Sequence, residues 1–249
     1  MLLGPDVTTS ASVVAPPEPL LEARGLVAGY GEAAVVSGID LHVNVGEIVA
    51  LFGPNGAGKS TSLLTMAGAI PALGGEVRWR GEALKGPLHR RARMGLGLVP
   101  EERSTVMSLT VKDNLLLGRG GVDAAVALFP ELQALLRRRA GLLSGGEQQM
   151  LLLARALAAN PAALLVDEVS LGLAPLVVER LLAQLTAVAK ERGVGVLLVE
   201  QQARRAFKVA DRWYLMRRGR IRAEGDSSCG PEALERAYLS DDTSAADSA

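Results

Sequence analysis

Three glycines, a lysine and a hydroxyl stand close together in Gly53-Pro54-Asn55-Gly56-Ala57-Gly58-Lys59-Ser60, at the spacing G-x-x-x-x-G-K-[ST]. Glycines let successive backbone N–H groups converge on one point without a Cβ in the way, which suits a phosphate chain. An apolar strand, Glu47 to Phe52, precedes the run, and a helix starting near Lys59 follows it. The helix would add the positive end of its dipole to the cradle. Lys59 would bridge β- and γ-phosphates, Ser60 would ligate Mg²⁺, and Thr61 would follow in the first turn. Background frequencies put a chance match in a chain of this length at roughly 1%.

A second apolar strand, Ala163-Leu164-Leu165-Val166, delivers two carboxylates at its end, Asp167 and Glu168. By itself such a run is usually a surface strand end. Beside a phosphate cradle, Asp167 would hold Mg²⁺ and Glu168 would act as base on an attacking water. A third segment, Leu143-Ser144-Gly145-Gly146-Glu147-Gln148, opens a helix. Ser144, Gly145, Gly146 and Gln148 thereby form a second candidate anion site at a helix N-terminus. Two such cradles in one chain point to a composite site, with the second closing over ATP held by another subunit.

With these three segments in place, the chain strongly resembles ABC ATPases from residue 20 to about 240. The resemblance implies an α/β P-loop core, a small antiparallel β region near the adenine, and an inserted helical subdomain. Tyr30 stands where these proteins place an aromatic on adenine, and Ser170-Leu171-Gly172-Leu173-Ala174-Pro175 resembles the dimer-contacting loop after the catalytic glutamate.

Within that family the chain is most similar to the LivF type, an ATP-binding subunit of branched-chain amino acid importers. The matching pieces are Val99-Pro100-Glu101, Leu109-Thr110-Val111, Leu143 to Met150, Ser170 to Pro175, and Val199-Glu200-Gln201. Glu101 replaces a glutamine that senses Mg²⁺ and the membrane partner, and Gln201 replaces the switch histidine beside the γ-phosphate. The sequence also departs from the usual pattern at Val169, at Glu102, at Gln202 and over Ser104 to Met107. The resemblance implies ATP and Mg²⁺ as cofactors, and Glu101 as a third candidate near the metal. It implies a related but different second ATPase subunit, two transmembrane permease subunits, and a solute-binding protein reached indirectly. The expected place is the cytoplasmic face of the cell membrane, peripherally held. A rival reading is a soluble ABC ATPase that remodels a protein or nucleic-acid complex without transport. Against it stand the single ATPase unit and the lack of a coiled-coil insertion, zinc site or basic arm. Glu168 disfavours a third reading, in which the chain binds ATP only to regulate.

What must position these residues is a parallel sheet between helices. Apolar content is high, aromatic content is low, and Ala, Leu, Val and Gly dominate, which suits strands buried on both faces. Lys plus Arg number 27 and Asp plus Glu 27, so no overall basic footprint for nucleic acid exists. Arg137-Arg138-Arg139 and Arg217-Arg218 read as solvated faces. Cys229 is the one cysteine, so no disulfide can form within the chain. His42 and His89 read as surface or packing residues. Neither a signal peptide nor a transmembrane span is legible, so the chain is expected to be soluble by itself.

Residues 1–19 read as a disordered leader and 241–249 as a flexible tail, leaving 20–240 for the ATPase domain. Strands are expected at Ile39 to Val45 and Val194 to Val199, helices at Glu147 to Ala159 and Pro175 to Glu191. Trp213 to Glu224 reads as a hairpin turning at Arg218-Gly219. The helical subdomain is expected over about 103–141, opening with Thr110 and Asp113 as a capping box for Val111 to Leu117.

Overall fold

The structure is a computed structural model that describes residues 18–101, 104–201 and 206–230. Most of the expected leader, the whole expected tail, Glu102 and Gln202 lie outside the described residues.

Among the described residues, ten strands form two sheets. The smaller, antiparallel sheet contains β1 (Leu21–Tyr30), β2 (Ala33–Val43), β4 (Ala72–Trp79) and β5 (Glu82–Ala83), in the order β2-β1-β4-β5. The larger contains β3 (Ile48–Phe52), β6 (Leu96–Val99), β7 (Ala163–Asp167), β8 (Gly195–Glu200), β9 (Arg212–Arg217) and β10 (Arg220–Asp226). Its order is β10-β9-β3-β8-β7-β6, parallel throughout except for the β9–β10 hairpin.

The large sheet is apolar on both faces because each face meets its own core. Ile48, Ala50 and Phe52 of β3 face one cluster with Leu164, Val166, Val196 and Leu198. Val49 and Leu51 face the other with Leu165, Leu197 and Val199. The period of two in side-chain direction thus turns an unbroken apolar run into two separate contacts. Helix α1 (Lys59–Ala67) shares its core with the small sheet, through Leu63 and Met66. The opposite face carries α5 (Gly145–Ala158) and α6 (Pro175–Arg192). Pro175 opens α6 where its missing N–H goes unneeded, and Gly193 closes it with φ 69°. A short α2 (Leu88–Arg93) sends Arg91 across to the end of α1, where its guanidinium donates to the carbonyls of Thr65 and Met66.

Between the neighbouring strands β6 and β7 the chain leaves the sheet to build a helical region. It contains α3 (Val111–Leu116), α4 (Gly121–Leu128) and 3₁₀ turns at Pro130–Leu135 and Ala140–Leu142. The Thr110 hydroxyl accepts the Asp113 N–H, capping α3. Next in the chain, α5 packs on α3, α4 and β6 and so joins the helical region to the sheet. Arg180 of α6 adds a surface pair with Glu131 at 2.9 Å, its guanidinium lying over the Phe129 ring.

The expected strand at Ile39 to Val45 is the second half of a longer one. Its first half, from Ala33, pairs with β1 in the hairpin across the Tyr30–Ala33 turn, which alternation in β2 alone could not reveal. The hairpin turns at Arg218 and Gly219, both with positive φ, as a two-residue connection requires.

Candidate functional site

The C-terminal ends of β3, β7 and β8 open onto one cavity of about 330 Å³. Asn55 to Thr61 form one wall, Glu168 and Leu171 another, and Glu101, Gln201 and Val35 complete the lining. The cradle depends on a close approach behind it. A Cβ on Gly53, whose φ is 155°, would collide with the Met216 carbonyl of β9. From the β9–β10 turn, Gly219 N–H donates to Ala57 O at 2.9 Å, which braces the loop from below.

Lys59 is 4% exposed. Its Nζ donates to the carbonyls of Gly53 at 2.9 Å and Pro54 at 3.2 Å, and the Glu168 carboxylate stands 4.0 Å away. Burial pulls the Lys59 pKa down, and Glu168, Asp167 and Glu101 pull against it. An ammonium held this way is ready for a polyanion, because its present acceptors are mostly neutral carbonyls.

Asp167 ends β7 and is 2% exposed. Its Oδ1 is buried with no hydrogen-bond partner. Burial pushes its pKa up to about 6, against a hydrogen bond from Ser60 and with Glu101 and Glu168 adding to the rise. A buried, partnerless carboxylate oxygen beside a serine hydroxyl suits a hard divalent cation that takes most of its ligands from phosphate and water. Glu168 follows in the left-handed region, φ 47°, with its N–H bound to Val199 O at 2.9 Å. For a glutamate that conformation is unusual and must be enforced by its surroundings. Glu101 and Gln201 are both exposed on the cavity wall.

Five of the sequence-derived elements thus meet: the glycine-rich loop, Asp167, Glu168, Glu101 and Gln201. Others stay apart. Tyr30 ends β1 at 57% exposure, and Val35 rather than Tyr30 lines the cavity. Ser144, Gly145 and Gly146 open α5 outside the cavity wall. Ser144 and Glu147 satisfy each other there: Ser144 N–H donates to Glu147 Oε2 at 2.7 Å, and Glu147 N–H to Ser144 Oγ at 3.3 Å. Gly146 has a reason within its own chain, since a Cβ there would lie 2.9 Å from Val177 of α6.

Gln148 is placed differently from the expectation of a nucleotide contact. It is buried, and its Nε2 donates to the carbonyls of Ala140 and Leu143, fixing the loop that enters α5. Four residues into the helix, its side chain points back over the preceding turn and into the chain's own interior. Neither histidine lines the cavity: His89 is exposed, and His42 lies half-buried against Arg212 and Tyr214. Burial and then the Arg212 charge lower the His42 pKa. Sequence reading missed Val35, which no local signal marks. It also missed Glu200, a carboxylate ending an apolar strand just as Asp167 does.

The model of the ABC transporter family matches residues 36–170. The chain belongs to the ABC transporter family. The curated relatives of this ABC protein include branched-chain amino acid transport ATP-binding protein BraG of Pseudomonas aeruginosa, 43% identical over 77% of this chain and 86% of that one. A probable branched-chain amino acid transport ATP-binding protein, LivF of Archaeoglobus fulgidus, is 34% identical over 84% and 93%. Lipopolysaccharide export system ATP-binding protein LptB of Escherichia coli is 35% identical over 89% and 98%. A solved nucleotide-free ATP-binding cassette from an ABC transporter superposes with a TM-score of 0.78 at 25% identity, covering 89% of this chain and 99% of that one. The chain is an ATP-binding cassette that binds and hydrolyses ATP, and its antiparallel sheet, largely parallel sheet and helical region are those of that fold.

Proposed function

We propose that this cassette powers an importer for branched-chain or related amino acids, on the cytoplasmic face of a membrane. The observation that carries its ATP chemistry is the set of incomplete groups around one cavity: a buried Lys59, an unpartnered Asp167 oxygen and a strained Glu168. Amides of Gly56 to Thr61 take the phosphates, and Lys59 leaves its carbonyl acceptors to bridge β- and γ-oxygens. Ser60 and Asp167 would hold Mg²⁺, with Glu101 next to it. The metal, when bound, neutralises charge on the phosphates. Glu168 takes the proton from the attacking water, and the Gln201 amide donates to the γ-phosphate.

Tyr30 lies exposed where a base can stack on it. The Ser144 to Gly146 cradle, turned away from the chain's own cavity, serves the ATP of a second subunit, a related but different ATPase chain. No helix among the described residues is long and apolar enough to cross a membrane, so two permease subunits supply the path, and a solute-binding protein delivers cargo to them. The names of BraG and LivF support amino acids as cargo, while the LptB relationship makes export of a lipid-linked cargo the outcome to test against.

The experiment is reconstitution of the cassette with its permease subunits in vesicles, with ATP on the cassette side. Uptake of labelled leucine that stops in Glu168→Gln is the expected result. Hydrolysis that no amino acid stimulates, in a complex that moves a lipid, overturns the cargo assignment.

A further inference from the structure

The carboxylate of Glu200 sits at the end of β8 and is 2% exposed, yet none of the chemistry above uses it. It grips Ser170 twice. Its Oε1 accepts the Ser170 backbone N–H at 3.1 Å, and its Oε2 accepts the Ser170 hydroxyl at 2.7 Å. Ser170 is itself 3% exposed, so neither bond competes with solvent. Burying a carboxylate is costly, and an apolar pair would pack two loops more cheaply.

What the grip encloses is the strained turn. The N–H of Glu168 is held by Val199 O, one residue before Glu200, and Ser170, two residues after Glu168, is held by Glu200 itself. Both bonds that bracket the left-handed Glu168 therefore come from consecutive residues at the tip of β8. Glu200 also pairs in register with Phe52, where β3 runs out into the phosphate cradle. Gln201 is the next residue along the chain. Glu200 thus touches three parts of the site: its backbone pairs with the end of the cradle strand, its side chain holds the loop bearing the base, and Gln201 follows it in the chain.

We propose that Glu200 is a positioning residue for hydrolysis, holding the loop through Ser170 so that the Glu168 carboxylate is aimed across the cavity. This rests on the reading of Glu168 as the base. Released from the clamp, the loop relaxes toward ordinary backbone angles and carries the carboxylate away from the water it must deprotonate. A displacement of about 1 Å suffices for losses of up to about a hundredfold. Nucleotide binding is spared, because the cradle and Lys59 are built from α1 and its preceding loop.

The test uses the full chain and MgATP, with kcat, KM, labelled-ATP affinity and thermal unfolding measured for Glu200→Ala, Ser170→Ala, their double variant, Glu200→Gln and Glu168→Gln. Glu200→Ala is expected to lose tenfold or more in kcat, with KM and ATP affinity within about twofold of the parent chain. The double variant falls no further than Glu200→Ala, because both changes open the same clamp. Glu200→Gln recovers most of kcat: its amide oxygen still accepts the Ser170 N–H, and its amide N–H₂ donates to a hydroxyl that turns to accept. A folded Glu200→Ala with unchanged kcat, losses that multiply in the double variant, or KM rising as kcat falls would each overturn the proposal. Should Glu200→Ala not fold, an undiminished kcat in Ser170→Ala overturns it equally. Full activity in Glu168→Gln defeats the base assignment itself, whereas an inactive Glu168→Gln beside an active Glu200→Ala defeats only the positioning role.

Discussion

Helices α1 and α5 both begin on glycine-rich sequences, and their first turns are in opposite conditions. Helix α1 has no side-chain cap and no acidic residue in its first turn, and its lysine is buried against neutral carbonyls. Helix α5 begins with a complete capping box and brings its own carboxylate, Glu147, to the positive end of its dipole. Around α1 the groups left wanting gather together: Lys59 and the strained Glu168 line the cavity, and the free oxygen of Asp167 lies next to Glu168 in the chain, its carboxylate bonded to Ser60. Around α5 the polar groups are satisfied inside the chain, down to the Gln148 amide. The first turn is organised for a ligand that the chain itself must hold. The second is finished as a surface, ready to be pressed against something held elsewhere.

That contrast is broken most directly at the α1 end. Glu168→Gln should bind MgATP normally, hydrolyse it at least about 10²-fold more slowly, and accumulate as a closed dimer visible by size exclusion. Lys59→Ala should lose both ATP affinity and turnover, because the phosphate charge is left poorly compensated. Undiminished turnover in either variant would show that α1 is no more special than α5.

Mixing tests whether the two ends belong to different chains' sites. Ser144→Arg chains and Lys59→Ala chains, each inactive alone, should together regain activity at the one interface site that keeps an intact cradle and an intact cap. Activity strictly proportional to monomer concentration would mean that α5 does not serve the ATP of a second copy of this chain.

Asp167 gives a third test, through pH. Its folded pKa of about 6 lies above the ordinary aspartate value of 3.8, so the folded chain binds this proton more tightly than the unfolded one. Ligand-free stability therefore falls as pH rises from about 4 through about 6, by up to about 3 kcal/mol from this group. Asp167→Asn should flatten that part of the pH–stability curve while abolishing the Mg²⁺ requirement for tight ATP binding. A curve unchanged by the substitution would mean that Asp167 is not the desolvated group the geometry makes it.

The pattern of what could be read from sequence follows the same division. The glycine-rich loop, Asp167 and Glu168 were legible because their chemistry is compressed into short runs at strand ends, where local spacing equals spatial neighbourhood. The buried strands were legible as apolar runs, and α3, α5 and α6 from their caps and periodicity. Strands β1 and β4 were not, since their pairing with each other involves residues as distant as Leu21 and Trp79. Val35 reaches the cavity because the first half of β2 lies against the loop and the β9–β10 turn, with its carbonyl beside Gly58 and Gly219. Gln148 has the signature residues as its neighbours in sequence, while its amide N–H₂ donates to the Ala140 and Leu143 carbonyls behind it.

Smaller effects sharpen the contrast. Gln201 is neutral where a histidine can carry charge, and in the proposed mechanism the Glu101 carboxylate on the cavity wall would face the γ-phosphate. Gln201→His, alone and with Glu101→Gln, should raise turnover severalfold in the presence of the partner subunit. A collapse in turnover would show that Gln201 is specifically required. At the α5 end, Glu147→Ala removes half of a capping box and should lower stability by about 1 kcal/mol, a few degrees in Tm, without lowering ATP affinity at the chain's own cradle.

The position of β3 in the sheet has a consequence for the order of events during synthesis. β3 ends in the phosphate cradle, yet both of its neighbours arrive late: Ile48 pairs with Val196, and Val49 with Arg212. Even its first N–H, that of Ile48, is answered by Asp211, 163 residues further on. A growing chain therefore carries an apolar, unpaired strand and an unbraced cradle until the C-terminal hairpin emerges, and only then can the loop be locked by Gly219. ATP competence is thus acquired only once residues 212 to 219 have emerged, and a ribosome stalled before residue 212 should display the whole glycine-rich motif and bind no nucleotide.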